Sequence, residues 1–434
     1  MELKILKTTA GVILNTSLYF GMPLRLHDFI SVFHSLHLTD PIRDYFISAR
    51  VPETLLCLQT RIYPPCSWSV IDFNQRGSSA IKEEWKWRSG FSNWASFALS
   101  ELFRDNGEYS YQPQQHHLCH SLADKSRILP VKTLEPLVGV LKKFTPPFPT
   151  SSGFLVDDPT TRHALVSTDV DLLTDVSSHL ESLALDSEDV QAYLAQTATS
   201  DPSQCSPALI KDILDFVEFG NYPPYWSREI PSEKAKREKE FDMCKAAIIK
   251  TVVEVTGALQ CINVLWDLNT PTGWFVSRLI RWIQTNVTSP RDDLVVCATL
   301  CLGNLARRGV YYALHICINL SNFSPEAYCV ALVQPPFSLV TELASLLDAR
   351  VDIKLKHGTL GLLKHLSQSP TNRATLGEIG ILNKLAKSEI WFERYDMAEL
   401  VQLSAIGTAK HLCTASCTFP EIICGVMFTK QRAS

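Results

Sequence analysis

The chain is short of most features that would assign it a chemistry. Nowhere in its 434 residues does an uninterrupted apolar run approach the ~20 residues of a membrane helix, so no membrane insertion is expected. There is no P-loop, no GxSxG elbow, no HExxH, and no GxGxxG opening a Rossmann unit. An excess of positive charge is missing too. Lys and Arg total 41 against 45 Asp and Glu, a net charge of −4, which gives no bulk reason to expect nucleic acid or an anionic membrane as partner. The 13 cysteines are not spaced as pairs. Cys297, Cys301 and Cys329 stand inside apolar helical runs and read as small buried hydrophobes in a reducing compartment, which points to the cytosol. The start, "MELKILKTTAGVILNTSLYFG", has the basic opening and short apolar centre of a signal peptide. Asn15, Thr16 and Ser17 break that centre and no small-residue cleavage site follows, so an amphipathic helix is the reading. The cluster "HHLCH", His116 to His120, has no second half at zinc-finger spacing, so no metal and no cofactor is expected. No catalytic constellation stands out, and the expectation is a binding protein rather than an enzyme.

What is present is a helical pattern that repeats. The run "ATLCLGNLARRG", Ala298 to Gly309, sets one amide, Asn304, among residues that bury well. Aligning Leu305 with Leu366 and Leu412 brings "VCATLCLGNLAR", "HGTLGLLKHLSQ" and "LSAIGTAKHLCT" into register, with Asn304, His365 and His411 at one position and small residues a turn upstream. The second spacing is 46 residues and the first is 61. The excess is taken up by an insert near 309–324, "GVYYALHICINLSNFS", read as an extra loop or as sequence foreign to the repeat. Within a period three helices can be parsed. "PEAYCVALV" is stopped by Pro335 and Pro336, "FSLVTELASLLD" carries a helical stripe, and "DIKLKHGTLGLLKHLSQS" ends at Ser369-Pro370. "NRATLGEI", Gly380, "ILNKLAKSEIW" and "DMAELVQLSAIGTAKHLC" repeat the plan. A period near 40 to 47 residues with two or three helices is the armadillo/HEAT pattern.

The expected fold is therefore all-α, an armadillo-type α-solenoid: a superhelical array of three-helix repeats, with an irregular linker in the N-terminal half. Residues 1–103 form N-terminal armadillo-like helices that start mid-repeat, 104–160 a Pro/Ser/Gln-rich linker or loop, 161–413 the array, and 414–434 a non-repeat tail. A helix around "LEPLVGVLKKF" is allowed within the linker. "SEKAKREKEFD" after the candidate N-cap Ser232 reads as a solvated helical start. In such an array the third helices line a groove. The position of Asn304, His365 and His411 either faces that groove or ties adjacent repeats together, and the residues alone leave both open. Residues 151–190 are acidic, with Asp169, Asp171, Asp175 and Glu181 among carboxylates opposed by Arg162 alone. They form either a helical exterior or a surface for a basic partner.

The "DDLVVCATLCLGNLARR" segment, then "CVALVQPP", then "VDIKLKHGTLGLLKHLSQSPTNRATLGEIGIL" resemble the fungal-type relatives of the small-GTPase GDP-dissociation stimulators, over about residues 240–413. "TAGVILN" and "MCKAAIIKTVVEV" agree with it. The resemblance implies an armadillo-repeat protein that binds a small GTPase of the Ras/Rho type, one with a basic, often prenylated tail. It would act as a guanine-nucleotide exchange stimulator, as a chaperone of the prenylated GTPase, or as both. It also implies a groove row of Asn15, Asn304, His365 and His411, extended one turn on by Arg307 and Gln368, with His357 two turns before His365. The acidic Asp169, Asp171, Asp175 and Glu181 would meet the basic tail. The alternatives are an armadillo scaffold or a peptide-binding adaptor without exchange activity, and a degenerate variant. A karyopherin-like adaptor is disfavoured, because the positions four before Asn304, His365 and His411 are Leu300, Gly361 and Gly407, where such grooves carry tryptophan. Solenoid ends lacking polar caps would expose apolar surface, so weak stability or self-association is expected.

Overall fold

In a computed structural model the described residues are 49–52, 55, 134–148, 159–195, 209–223, 226, 231–266, 274–285, 291–315, 325–348, 352–391 and 397–414. Asn15, the "HHLCH" cluster and the tail beyond residue 414 lie outside them. All regular structure among the described residues is helical, without a strand, so the fold class is all-α. No described helix is long and apolar enough to cross a membrane. The chain divides into two compact units, Met1–Thr251 and Val252–Ser434.

In the first unit, α1 (Leu134–Lys143), α2 (Pro159–Asp186), α3 (Glu188–Leu194) and α4 (Leu209–Phe219) precede α5 (Pro231–Gly257), within which the boundary to the second unit falls. Helix α1 occupies part of the stretch expected as linker. It packs against α2 and α4, with Leu137 and Leu141 buried a turn apart. The pattern Ile210, Ile213, Leu214, Val217 gives α4 a continuous apolar stripe, all of it buried. Gly220 ends α4. Its N–H donates to the Phe216 carbonyl at 2.7 Å, and a Cβ at this position would stand 2.2 Å from that same oxygen. Asn221 N–H then donates to the Phe144 carbonyl at 2.9 Å, tying the ends of α1 and α4. Beside this knot Phe144, Phe216, Tyr222, Trp226 and Phe241 form an aromatic cluster with centroids 5.8 to 6.5 Å apart. Ser187 caps α3 by accepting from Val190 N–H. Helix α5 starts at Pro231, so Ser232 stands inside its first turn and is not the cap. Its charged start carries the i,i+4 pair Lys234–Glu238 and the i,i+3 pair Arg237–Glu240.

In the second unit a 3₁₀ turn (Leu259–Cys261) leads to α6 (Ile262–Leu265), α7 (Trp274–Thr285) and α8 (Asp292–His315). There follow α9 (Pro325–Val333), α10 (Val340–Ser345), α11 (Ile353–Leu366), α12 (Pro370–Glu378), α13 (Ile381–Lys387), a 3₁₀ turn (Glu389–Trp391) and α14 (Ala398–Cys413). The local signals set these bounds. Asp352 accepts from Lys354 N–H at 2.7 Å to open α11, Pro370 occupies the first turn of α12, and Gly380 takes the left-handed conformation (φ 80°) that turns α12 into α13. Of the insert near 309–324, the stretch 316–324 lies outside the described residues. Residues 309–315 continue α8 as helix, because no proline or cap follows Arg308 and a lone Gly309 costs a helix only about 1 kcal/mol.

The three long helices pack in sequence, α8 against α11 and α11 against α14. Glycines set how closely they approach. A Cβ on Gly358 would lie 2.3 Å from Thr299 Oγ1, and one on Gly407 would meet the aliphatic stem of Lys364 at 3.0 to 3.3 Å. Gly358 and Gly407 thus mark where one helix rests on the next. On α14, Leu400, Leu403 and Ile406 are left exposed.

Candidate functional site

The sequence-derived groove residues fall on the three packed helices of the second unit, and their surroundings differ. Asn304, on α8, is half-buried. Its Nδ2 donates to the Val253 carbonyl at 3.0 Å and to Thr256 Oγ1 at 3.4 Å. Thr256 Oγ1 in turn donates to the Val253 carbonyl at 2.7 Å. The amide is knitted to the last turns of α5.

His365, on α11, is half-buried, and its Nδ1 is enclosed without a hydrogen-bond partner. Burial, then the cations Lys364 and Arg307, hold its pKa down at about 4, against a hydrogen bond to Gln368 that works the other way. The ring is therefore neutral at physiological pH. His411, on α14, places Nδ1 3.2 Å from Ser367 Oγ. The Ser367 hydroxyl already donates its one proton to the Lys364 carbonyl at 2.9 Å, so His411 Nδ1–H is the donor. Burial first, with Arg373, Lys364 and Lys410 adding to it, lowers the His411 pKa. Arg307 is exposed and Gln368 half-exposed. Arg307, Gln368 and His411 all act on His365, so the fold brings these four near one another from α8, α11 with the turn after it, and α14. His357 stands two turns earlier on α11, its Nδ1 enclosed and its pKa lowered by burial.

Three contributors were not among the sequence-derived residues. Lys364 runs its stem over Gly407. The Lys-His pair of "LLKHL" recurs as Lys410-His411 in "TAKHL", a signal visible in the repeat alignment. Arg373, on α12, donates to the carbonyls of Ser367 and Gln368, both at 3.1 Å, and to Thr414 Oγ1 at 3.0 Å. Asn372 is fully buried and donates through Nδ2 to the carbonyls of Cys329 (2.9 Å) and Leu366 (3.1 Å). It clamps the start of α12 to α9 and α11.

The acidic surface, in the first unit, loses a member. Asp169 is 1% exposed and accepts from Trp226 Nε1 at 3.1 Å, so it belongs to the interior. Two residues along a helix are about 200° of rotation, which puts Asp169 on the face opposite Asp171. Asp171 is exposed and Asp175 half-exposed. Glu181 accepts from Lys250 Nζ at 2.9 Å, so part of the negative charge is met within the unit. Among the described residues no group of His, Cys, Asp or Glu is arranged to hold a metal ion, and the cysteines there are free and buried.

No protein-family model and no curated protein matches the chain. A crystal structure of an engineered protein aligns with 92% of this chain and 87% of its own, at 12% identity and a TM-score of 0.37. Likeness of that degree does not define a shared fold.

Proposed function

We propose that the chain is an armadillo-type helical array that regulates small GTPases of the Ras/Rho type. It acts as a GDP-dissociation stimulator, as a chaperone of the prenylated GTPase, or as both, in the cytosol. The observation that carries this reading is the row of α8, α11 and α14, packed one on the next, with Arg307, His365, Gln368 and His411 gathered along it. Exchange of this kind breaks no covalent bond. It needs a surface that binds the nucleotide-free GTPase more tightly than the GDP-bound form, and the difference in binding free energy offsets the lost GDP contacts. The absence of a catalytic constellation in the sequence fits that demand, and the resemblance over residues 240–413 supplies the partner class.

The test is release of a fluorescent GDP analogue from purified Rho- and Ras-type GTPases with and without the protein, paired with pull-down of prenylated and unprenylated forms. Acceleration or capture that fades in Arg307→Glu supports the reading. Neither effect with any GTPase removes it.

A second reading, an armadillo scaffold without exchange activity, is favoured by one observation. Asn304 commits its amide to α5, as a residue that ties neighbouring helices does. Under this reading the GTPase assays are silent while the array still binds a protein partner.

A further inference from the structure

The long helices α8, α11 and α14 follow one another, and each of the first two presents one face to the helix after it. On α8 that face holds Thr299 and Gly303. A Cβ on Gly358 of α11 would run into Thr299, and one on Gly303 would stand 3.7 Å from the backbone of Leu362. On α11 the face holds Lys364, whose stem lies over Gly407 of α14. The repeat alignment carries these two positions forward as Thr299, Leu360, Ile406 and as Gly303, Lys364, Lys410. Thr299 and Leu360 are fully buried, whereas Ile406 is 37% exposed and Leu403, one turn earlier, is 53% exposed. Among the described residues no helix covers on α14 the face that is covered on α8 and α11.

The pattern along that face says what fits it. Glu399, Leu403, Ile406 and Lys410 are spaced four, three and four apart. At about 100° per residue they fall in a stripe about 60° wide, and the spacing is that of a coiled-coil seam. Glu399 and Lys410, at its two ends, are exposed. Reversed, the stripe is its own complement. If a second α14 is set antiparallel about a two-fold axis midway between Leu403 and Ile406, each Leu403 meets the other copy's Ile406 and each Glu399 meets the other copy's Lys410. A parallel copy in the same register would oppose Glu399 to Glu399 and Lys410 to Lys410, which repel.

We infer that this face of α14 is a self-association surface, on which a second copy of the chain docks its own α14 antiparallel to give a two-fold dimer. None of the four residues belongs to the groove row, so the inference stands apart from the GTPase reading. A seam one helix wide buries less than about 1,200 Å² in all, the range of weak and transient interfaces. A Kd of about 10–100 µM is expected.

The experiment is sedimentation velocity of the full chain from about 1 to 200 µM, a range that brackets such a Kd. A monomer–dimer equilibrium is expected. Leu403→Ser with Ile406→Ser, both exposed positions, should weaken it at least about ten-fold. Glu399→Lys alone and Lys410→Glu alone should each weaken it, because either puts like charges at both ends of the seam. Both changes in one chain should restore the dimer, which also shows that the swapped chains still fold. A zero-length carbodiimide cross-link should join Glu399 to Lys410. Within one helix these stand eleven residues apart, about 16 Å along the axis, so that link forms only between copies. A monomer throughout the range overturns the inference and leaves residues 415–434 or a different protein to cover the face. A dimer indifferent to the serine variant also overturns it, as does one that the single charge changes leave at full strength.

Discussion

Asn304 on α8 donates its side-chain amide to the backbone carbonyl of Val253 in α5, at 3.0 Å. This single bond, with its companion to Thr256, separates two roles that the repeat alignment had merged. Asn304→Ala removes both bonds, so it should cost about 1–2 kcal/mol of unfolding free energy. Arg307→Ala, one turn on and exposed, should stay within about 0.5 kcal/mol of the parent. Urea titrations of the two variants check the contrast. A fully stable Asn304→Ala would return that residue to the candidate binding surface.

Glycines on one helix should respond in opposite directions. A Cβ on Gly358 meets Thr299 Oγ1 at 2.3 Å, whereas one on Gly361 meets nothing within 4 Å. Gly358→Ala should therefore lose about 1–3 kcal/mol through overpacking, in part restored by adding Thr299→Ala. Gly361→Ala should gain about 0.5–1 kcal/mol from helix propensity alone. Thermal melts of the three variants decide it, and a destabilised Gly361→Ala would show a neighbour closer than the packing allows.

Acid should loosen the second unit before its carboxylates are protonated. His365 titrates at about 4 in the fold, chiefly through burial and then through Lys364 and Arg307, against about 6.5 when unfolded. The unfolded chain takes up the proton more readily. Stability from this residue is thus complete above about pH 6.5 and falls as pH drops toward 4, by about 2–3 kcal/mol. His357 and His411 shift the same way. Urea midpoints between pH 7 and pH 4.5 should fall steeply in the parent and less steeply in His365→Gln. Equal slopes would remove His365 as the cause.

Asn372→Ala should be among the most damaging substitutions of a polar residue. It would remove a buried donor from the carbonyls of Cys329 and Leu366, at about 1–3 kcal/mol in all. Asn372→Asp should be as harmful, since a carboxylate cannot donate to either carbonyl. A variant that keeps the parental melting temperature would contradict the clamp.

The helices of the second unit were legible because each carries its own punctuation. Pro335-Pro336 stops α9, Asp352 opens α11, Ser369-Pro370 separates α11 from α12, and Gly380 turns α12 into α13. The polar row was legible as a recurring position, but not as a set of roles. Whether Asn304 points at a partner or at Val253 depends on α5, which lies 51 residues earlier, and periodicity within one helix carries nothing about that neighbour. Asp169 was misjudged for a related reason: residue type marked it as acidic surface, while its helical angle and Trp226 put it in the core. The clamp of Asn372 and Arg373 went unread because "PTNR" looks like the polar start of a helix, and its bonds run to carbonyls that only tertiary packing delivers.

Gly407 has a reach beyond its own helix. Lys364 lies across it, with stem carbons 3.0 to 3.3 Å from where a β-carbon would stand. The residue with no side chain thereby aims the ammonium of the helix beside it. Replacing Gly407 with alanine would redirect a charge without adding or removing one. Two chains with identical ionisable residues could then present different electrostatic faces to the same partner, and a charge map drawn from sequence would not tell them apart.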